Sequence, residues 1–174
     1  MSGSNHHWEA VEKAISDATG AVFHNADISS VGGGSINRAF CLESGSQRYF
    51  VKCNQPEKLA MFESEMAGLG EIRACEAIRV PEPVCAGKDE DNSWLVLEYI
   101  EAGQPGSNTE AALGEQLAAL HHKTAPQFGW HLDNTIGSTP QINTPSSDWA
   151  SFYAEHRIAY QLLSLIHISE PTRL

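Results

Sequence analysis

Apolar residues recur along this chain in two rhythms, and the switches between them mark out its elements. Trp8, Val11, Ile15 and Ala18 are spaced by three, four and three, which puts them on one face of a helix over residues 6–19, with Gly20 as its stop. The pattern then shortens. Residues 21–30 lead into segments of strand character at 39–43 and 47–53, and Ser44-Gly45-Ser46 between the last two is hairpin punctuation. Helical spacing returns over 56–75, where Pro56 suits the first turn and Leu59, Phe62, Met66, Leu69 and Ile72 share a face. The prolines at 81 and 83 force an extended path into a short strand ending near Ala86. Residues 88–92 form a polar turn, and the unbroken apolar run from Trp94 to Leu97 marks a buried strand over 93–99.

Residues 100–108 are rich in glycine, proline and small polar side chains and read as a linker between lobes. Ser107-Asn108-Thr109-Glu110 has capping-box form and opens a helix to about His122, with Leu113, Leu117 and Leu120 on one face. Residues 128–147 are loop-like, and a last amphipathic helix carrying Trp149, Phe152 and Ile158 begins near Asp148. The fold class is therefore α+β: an antiparallel sheet with one packed helix in residues 1–100, a linker at 101–108, and helices over 109–162.

Composition narrows the function. At 174 residues with 41% hydrophobic content the chain can bury a real core, as one domain or one lobe and part of another. A formal charge of −11 argues against nucleic acid or an anionic membrane as partner. Cys41, Cys53, Cys75 and Cys85 show no C-x-x-C spacing and no zinc-type pairing with histidine. They read as reduced, mostly buried thiols of a cytoplasmic protein. No signal peptide and no apolar run of membrane-spanning length is present. His6-His7 is short for a tag remnant, and His121-His122 near a helix C-terminus suits the dipole better than a metal site.

The candidate chemistry lies between Val31 and Lys52. The run Val31-Gly32-Gly33-Gly34-Ser35-Ile36-Asn37-Arg38 joins two strands, and Tyr49-Phe50-Val51-Lys52 closes the hairpin. Glycines without Cβ let backbone N–H groups approach an anion, and a lysine one strand further on can reach it as a point charge. This is the outline of a kinase-type phosphate cover. It is neither a P-loop, since no Gly-x-x-x-x-Gly-Lys-Ser/Thr occurs, nor a dinucleotide fingerprint, since the glycines lead into a strand. The alternative is a glycine hairpin of no special purpose. On the helix over 56–75, Glu65 projects inside the apolar face between Leu69 and Ile72. A carboxylate there either snorkels to the helix edge or pairs with Lys52 on the adjoining strand. Glu98-Tyr99-Ile100, at the end of the last strand, is either a hinge whose backbone reads an adenine edge or simply a strand end.

Taken together these runs resemble the fructosamine/ketosamine-3-kinase family. The likeness rests on Gly-Gly-Gly-Ser-Ile-Asn-Arg, Phe50-Val51-Lys52-Cys53, Phe62-Glu63-Ser64-Glu65-Met66-Ala67-Gly68-Leu69 and Trp94-Leu95-Val96-Leu97-Glu98-Tyr99-Ile100. It continues in Leu113 to His121, Phe128-Gly129-Trp130, Asp133 to Gly137, Thr139-Pro140-Gln141, Asp148-Trp149 and Arg157, and so covers nearly all of residues 8–162. The resemblance implies a protein-kinase-like fold related to aminoglycoside and choline kinases. It implies transfer of the ATP γ-phosphate to the 3-hydroxyl of a free or protein-bound ketoamine, with Mg2+ as the metal. Carried onto this chain, it implies Gly32, Gly33, Gly34 and Ser35 over the phosphates, Lys52 on them, Glu65 holding Lys52, and Glu98, Tyr99 and Ile100 at the adenine.

The resemblance also implies what is missing. The family's catalytic base lies in a His-Gly-Asp-Leu-Trp-x-Gly-Asn loop with a metal-binding aspartate further on, and this chain contains no Gly-Asp dipeptide. Residues 1–100 are then the ATP-binding lobe and 109–162 the start of a truncated helical lobe. Residues 163–174 back-translate onto a transposase-type sequencing adapter and are expected to be read-through of library DNA. Three functions follow: a ketosamine kinase represented by its N-terminal half, a related kinase acting on an aminoglycoside or amino alcohol, and a non-catalytic nucleotide-binding module.

Overall fold

The computed structural model describes residues 3–32, 36–137, 139–159 and 161–162. It divides into two compact units, Met1–Lys123 and Thr124–Leu174. In the first, α1 (Gly3–Thr19) precedes β1 (Asp27–Val31), β2 (Arg38–Ser44) and β3 (Gln47–Asn54). A 3-10 turn at Pro56–Lys58 leads into α2 (Leu59–Ala74), followed by β4 (Pro83–Lys88), β5 (Ser93–Glu98) and α3 (Thr109–His121). The five strands make one antiparallel sheet in the order β1-β2-β3-β5-β4. The hairpin between β2 and β3 turns on Gly45 at φ 61°, a left-handed conformation that a residue with Cβ adopts only at a cost.

The period-two alternation of β3 builds two cores from one strand. Val51 and Cys53, with Leu42, Trp94 and Val96, pack against Val11 and Ile15 of α1. Phe50, with Leu95 and Leu97, packs against Phe62, Met66 and Leu69 of α2. The sheet is thus sandwiched between two helices. Ala18, expected on the apolar face of α1, is exposed instead. The Pro56 segment is a 3-10 turn and not yet α-helix.

His7 is a structural residue. It is 8% exposed, its Nδ1 lies 2.8 Å from Asp89 Oδ2, and its Nε2 lies 3.7 Å from Cys53 Sγ. Asp89 Oδ1 meanwhile accepts from the N–H groups of Asp91 and Asn92, closing the β4–β5 turn. One carboxylate therefore shapes that turn and ties the start of α1 to it. Burial pushes the Asp89 carboxyl up, but the hydrogen bonds from His7, Asn92 and Asp91 outweigh it and hold the group below its ordinary value. All four cysteines are free. Cys41 and Cys53 are buried, whereas Cys75 and Cys85 are only half-buried. Burial raises Cys53 to about 12 and Cys85 to about 11, so both thiols are inert at neutral pH.

The capping box expected at 107–110 does not form. The cap residue of α3 is Asn108, with no side-chain bond, and Thr109 Oγ1 accepts from the Gly106 N–H. Leu113 and Leu117 on α3 are 54% and 42% exposed. In the second unit, the stretch read as loop contains a small hairpin, β6 (Asn134–Ile136) with β7 (Thr139–Gln141), and a bridge from Phe128 to Ser146. Then come α4 (Trp149–Tyr153), capped by Asp148 on the N–H groups of Ala150 and Ser151, and a π-helical turn, Ala154–Ala159.

Candidate functional site

The chain leaves the sheet at Val31 and returns at Arg38. Open space surrounds Gly32 where a Cβ would stand, so backbone is what this residue can offer a ligand. Gly33, Gly34 and Ser35 lie outside the described residues. The exit of the turn is pinned to the end of β3: Asn54 Nδ2 donates to Asn37 Oδ1 at 2.6 Å and to the Ile36 carbonyl at 3.3 Å. Register then sets Ala39 opposite Lys52, so the lysine stands beside the first residues after the glycine turn.

Lys52 occupies β3 between β2 and β5, opposite Leu95 on the latter, and alternation turns it toward α2. From that helix Glu65 meets it as the sequence anticipates. Lys52 Nζ donates to both carboxylate oxygens at 2.7 Å. The two side chains are 24% and 33% exposed, sheltered enough that an unpaired charge would be costly yet open on one side. An ammonium has three donors, and two engaged by one carboxylate leave a third for an anion. Phe62, fully buried against Leu95 and Leu97, seats the helix that delivers Glu65.

The chain after β5 is held from two sides. The Glu98 N–H donates to the Glu82 carbonyl at 2.8 Å, so that donor is already engaged. The Glu98 carboxylate accepts from the Glu82 N–H at 3.1 Å and from Arg79 at 2.6 Å. The Glu82 N–H first, and Arg79 after it, keep the Glu98 carboxyl below the usual carboxylate range. Arg48 donates to Glu43 at 3.0 Å and to Glu101 at 2.8 Å, and its guanidinium lies 5.1 Å from the centre of the Tyr99 ring. Ile100 is 40% exposed. Sequence reasoning missed Arg48 and Arg79. Only the Glu43–Arg48 pair carried a signal, as opposite charges flanking a hairpin turn.

Among the described residues no three His, Cys, Asp or Glu side chains gather to hold a metal ion. No described helix is long and apolar enough to cross a membrane.

Known proteins resemble this chain over most of its length. The fructosamine kinase family profile matches residues 7–169. A Synechocystis protein named "Probable ketoamine kinase slr1563" is 46% identical over 156 residues, covering 89% of this chain and 53% of its own. The chloroplastic protein-ribulosamine 3-kinase of Arabidopsis thaliana is 47% identical over 138 residues, 78% of this chain and 42% of its own. A Haemophilus somnus crystal structure bearing a fructosamine-3-kinase name superposes with a TM-score of 0.88 at 23% identity, covering 95% of this chain and 57% of its own, which shows a shared kinase-like fold. The chain spans about half the length of the curated relatives it matches.

Proposed function

Since the chain belongs to the fructosamine kinase family, we propose that it carries the nucleotide-binding half of an ATP-dependent kinase acting on the 3-hydroxyl of a sugar-derived ketoamine, free or protein-bound. The observation that carries the reading is the Lys52–Glu65 pair standing beside the exit of the glycine turn. The names of the ketoamine and ribulosamine kinase relatives support it. In this reading Gly32, Gly33, Gly34 and Ser35 cover the phosphates with backbone N–H groups. Lys52 meets the phosphates with the donor that Glu65 leaves over, and Glu65 fixes its direction. The backbone of Glu98, Tyr99 and Ile100 borders the adenine. ATP, when bound, supplies the phosphoryl group that is transferred. A base for the acceptor hydroxyl and ligands for Mg2+ belong to the half that the relatives have and this chain does not span. Four free thiols fit a reducing, cytoplasmic setting.

The test extends the gene to the length of its relatives and offers the product ATP with a fructosylated amine, a ribulosylated amine and an aminoglycoside. Turnover on the ketoamines and not on the aminoglycoside is expected. Preference for the aminoglycoside, or no turnover on any acceptor, would sink the reading.

A further inference from the structure

Asn54 has no part in the reading above, yet it stands on the same strand as Lys52, two residues on, and therefore on the same face of the sheet. Its side-chain amide is fully engaged. The oxygen Oδ1 accepts from the Gln55 N–H at 2.8 Å, which settles the orientation of the amide and aims Nδ2 at the glycine turn. Nδ2 then gives one hydrogen to Asn37 Oδ1 at 2.6 Å and the other to the Ile36 carbonyl at 3.3 Å. Gln55 is itself held, because its carbonyl accepts from Ser93 Oγ at 2.7 Å and Ser93 is fully buried at the start of β5. The anchor is thus rooted in two adjacent strands, β3 and β5.

Ile36 and Asn37 need such an anchor. The ladder of β2 begins only at Arg38, so no strand pairing holds the two residues before it. Arg38 is tied as well, through Nη2 to Asn92 Oδ1 at 2.7 Å, but it stands opposite Cys53 and so faces α1. Only the Asn54 tie shares the face of Lys52. The Cα atoms of Lys52 and Asn54 are roughly 7 Å apart along the strand. One strand therefore carries both the ammonium and the anchor of the turn. A binding site whose donors are held before the ligand arrives loses less freedom on binding.

We propose that Asn54 is a positioning residue for phosphate binding: it fixes the exit of the glycine turn relative to Lys52, so that turn and ammonium meet one anion together. The role in nucleotide binding rests on the kinase reading above; the anchoring of residues 36 and 37 does not. Calorimetric titration of the enzyme extended to the length of its relatives, with ATP and separately with adenosine, tests it. Asn54→Ala removes both hydrogen bonds to the turn and should weaken ATP about tenfold while leaving adenosine unchanged. Asn37→Ala removes one of them and should weaken ATP by less, and the double variant should match Asn54→Ala alone. Amide exchange at Asn37 and Arg38 reads the anchor without nucleotide and should quicken about tenfold in Asn54→Ala. Unchanged ATP affinity or unchanged exchange in Asn54→Ala would overturn the proposal. So would an equal loss of ATP and adenosine, the mark of a purely structural role, or a double variant whose loss is the product of the two single losses. Lys52→Met separates the two readings. If it weakens ATP while Asn54→Ala does not, the kinase reading stands and the positioning role falls. If it leaves ATP affinity untouched while Asn54→Ala weakens ATP and not adenosine, the kinase reading fails and the role of Asn54 toward phosphate stands.

Discussion

Lys52 and Glu65 lie 13 residues apart in sequence and meet at 2.7 Å because strand and helix present them to each other across one core. Their unequal roles give an expected ranking in the enzyme extended to full length. Lys52→Met removes the charge that meets the phosphates and should cost most of the turnover, on the order of a hundredfold or more. Glu65→Gln keeps the lysine but loosens its direction, and should cost roughly tenfold, mostly in kcat. Steady-state kinetics check both, and a Glu65→Gln enzyme with unchanged activity and nucleotide affinity would remove the pair from the mechanism. Asp89 supports a pH prediction. Its carboxyl sits below its ordinary value of 3.8 in the folded chain, so its stabilising contribution is complete above that value. The contribution drains away as pH falls through the depressed folded value. Asp89→Asn should therefore lower stability at pH 7 and flatten the loss as pH falls below the ordinary value of 3.8, as read from urea titrations at a series of pH values.

The helix α2 connects packing to chemistry. Phe62 is fully buried against Leu95 and Leu97, and Glu65 rides one turn further along the same helix. Phe62→Ala should cost about 3–5 kcal/mol by cavity formation, a large share of a typical domain's 5–15 kcal/mol. If the helix also shifts into the space, Lys52 loses its partner, so nucleotide affinity should fall together with stability. Urea unfolding and nucleotide titration on the same preparation check this. The helix α3 is the opposite case. Its apolar stripe was readable as a core face, yet Leu113 and Leu117 stay more than two-fifths exposed. Periodicity reports that a face wants burial; it does not supply the partner.

At the scale of the whole chain, apolar surface is distributed unevenly. The sheet and its two helices have cores of fully buried residues, while Leu113, Leu117, Trp149, Tyr153, Ile158 and Leu162 remain between 42% and 54% exposed. Covering the exposed half of those six would add about 4–9 kcal/mol at roughly 1.5–3 kcal/mol per fully buried side chain, comparable to a domain's net stability of about 5–15 kcal/mol. With no Gly-Asp dipeptide to supply the family's catalytic loop, the 174-residue chain should show no phosphoryl transfer with ATP and a ketoamine. Limited proteolysis should cut first beyond Ile100 and leave the sheet lobe as the resistant piece. A chain that resists protease throughout, melts in one cooperative step and turns over a ketoamine would contradict this. Sequencing the source locus across codon 163 tests the tail separately, since genomic DNA that encodes it in place would end the read-through expectation.

Much of this architecture was legible along the chain. The strands of the hairpin, the turn at Gly45, the helix over 59–74 and the inward-facing Glu65 all follow from periods of two and 3.6 residues, which are local properties of backbone geometry. Pairing Lys52 with Glu65 needed two things besides: the rule that a carboxylate facing a core requires a cation nearby, and the glycine run close to that lysine, without which a carboxylate snorkelling to the helix edge reads equally well. Other features depended on the packed fold. His7 meets Asp89 across 82 residues, Arg48 reaches Glu101 across 53, and Asn54 ties down the glycine turn 17 residues before it. Nothing local distinguishes these side chains from solvated ones, because their partners are chosen by how α1, the sheet and the post-β5 segment pack. The failed capping box at 107–110 and the hairpin inside 128–147 have the same origin. Short polar segments have several backbone solutions of similar energy, and the tertiary contacts around them select one.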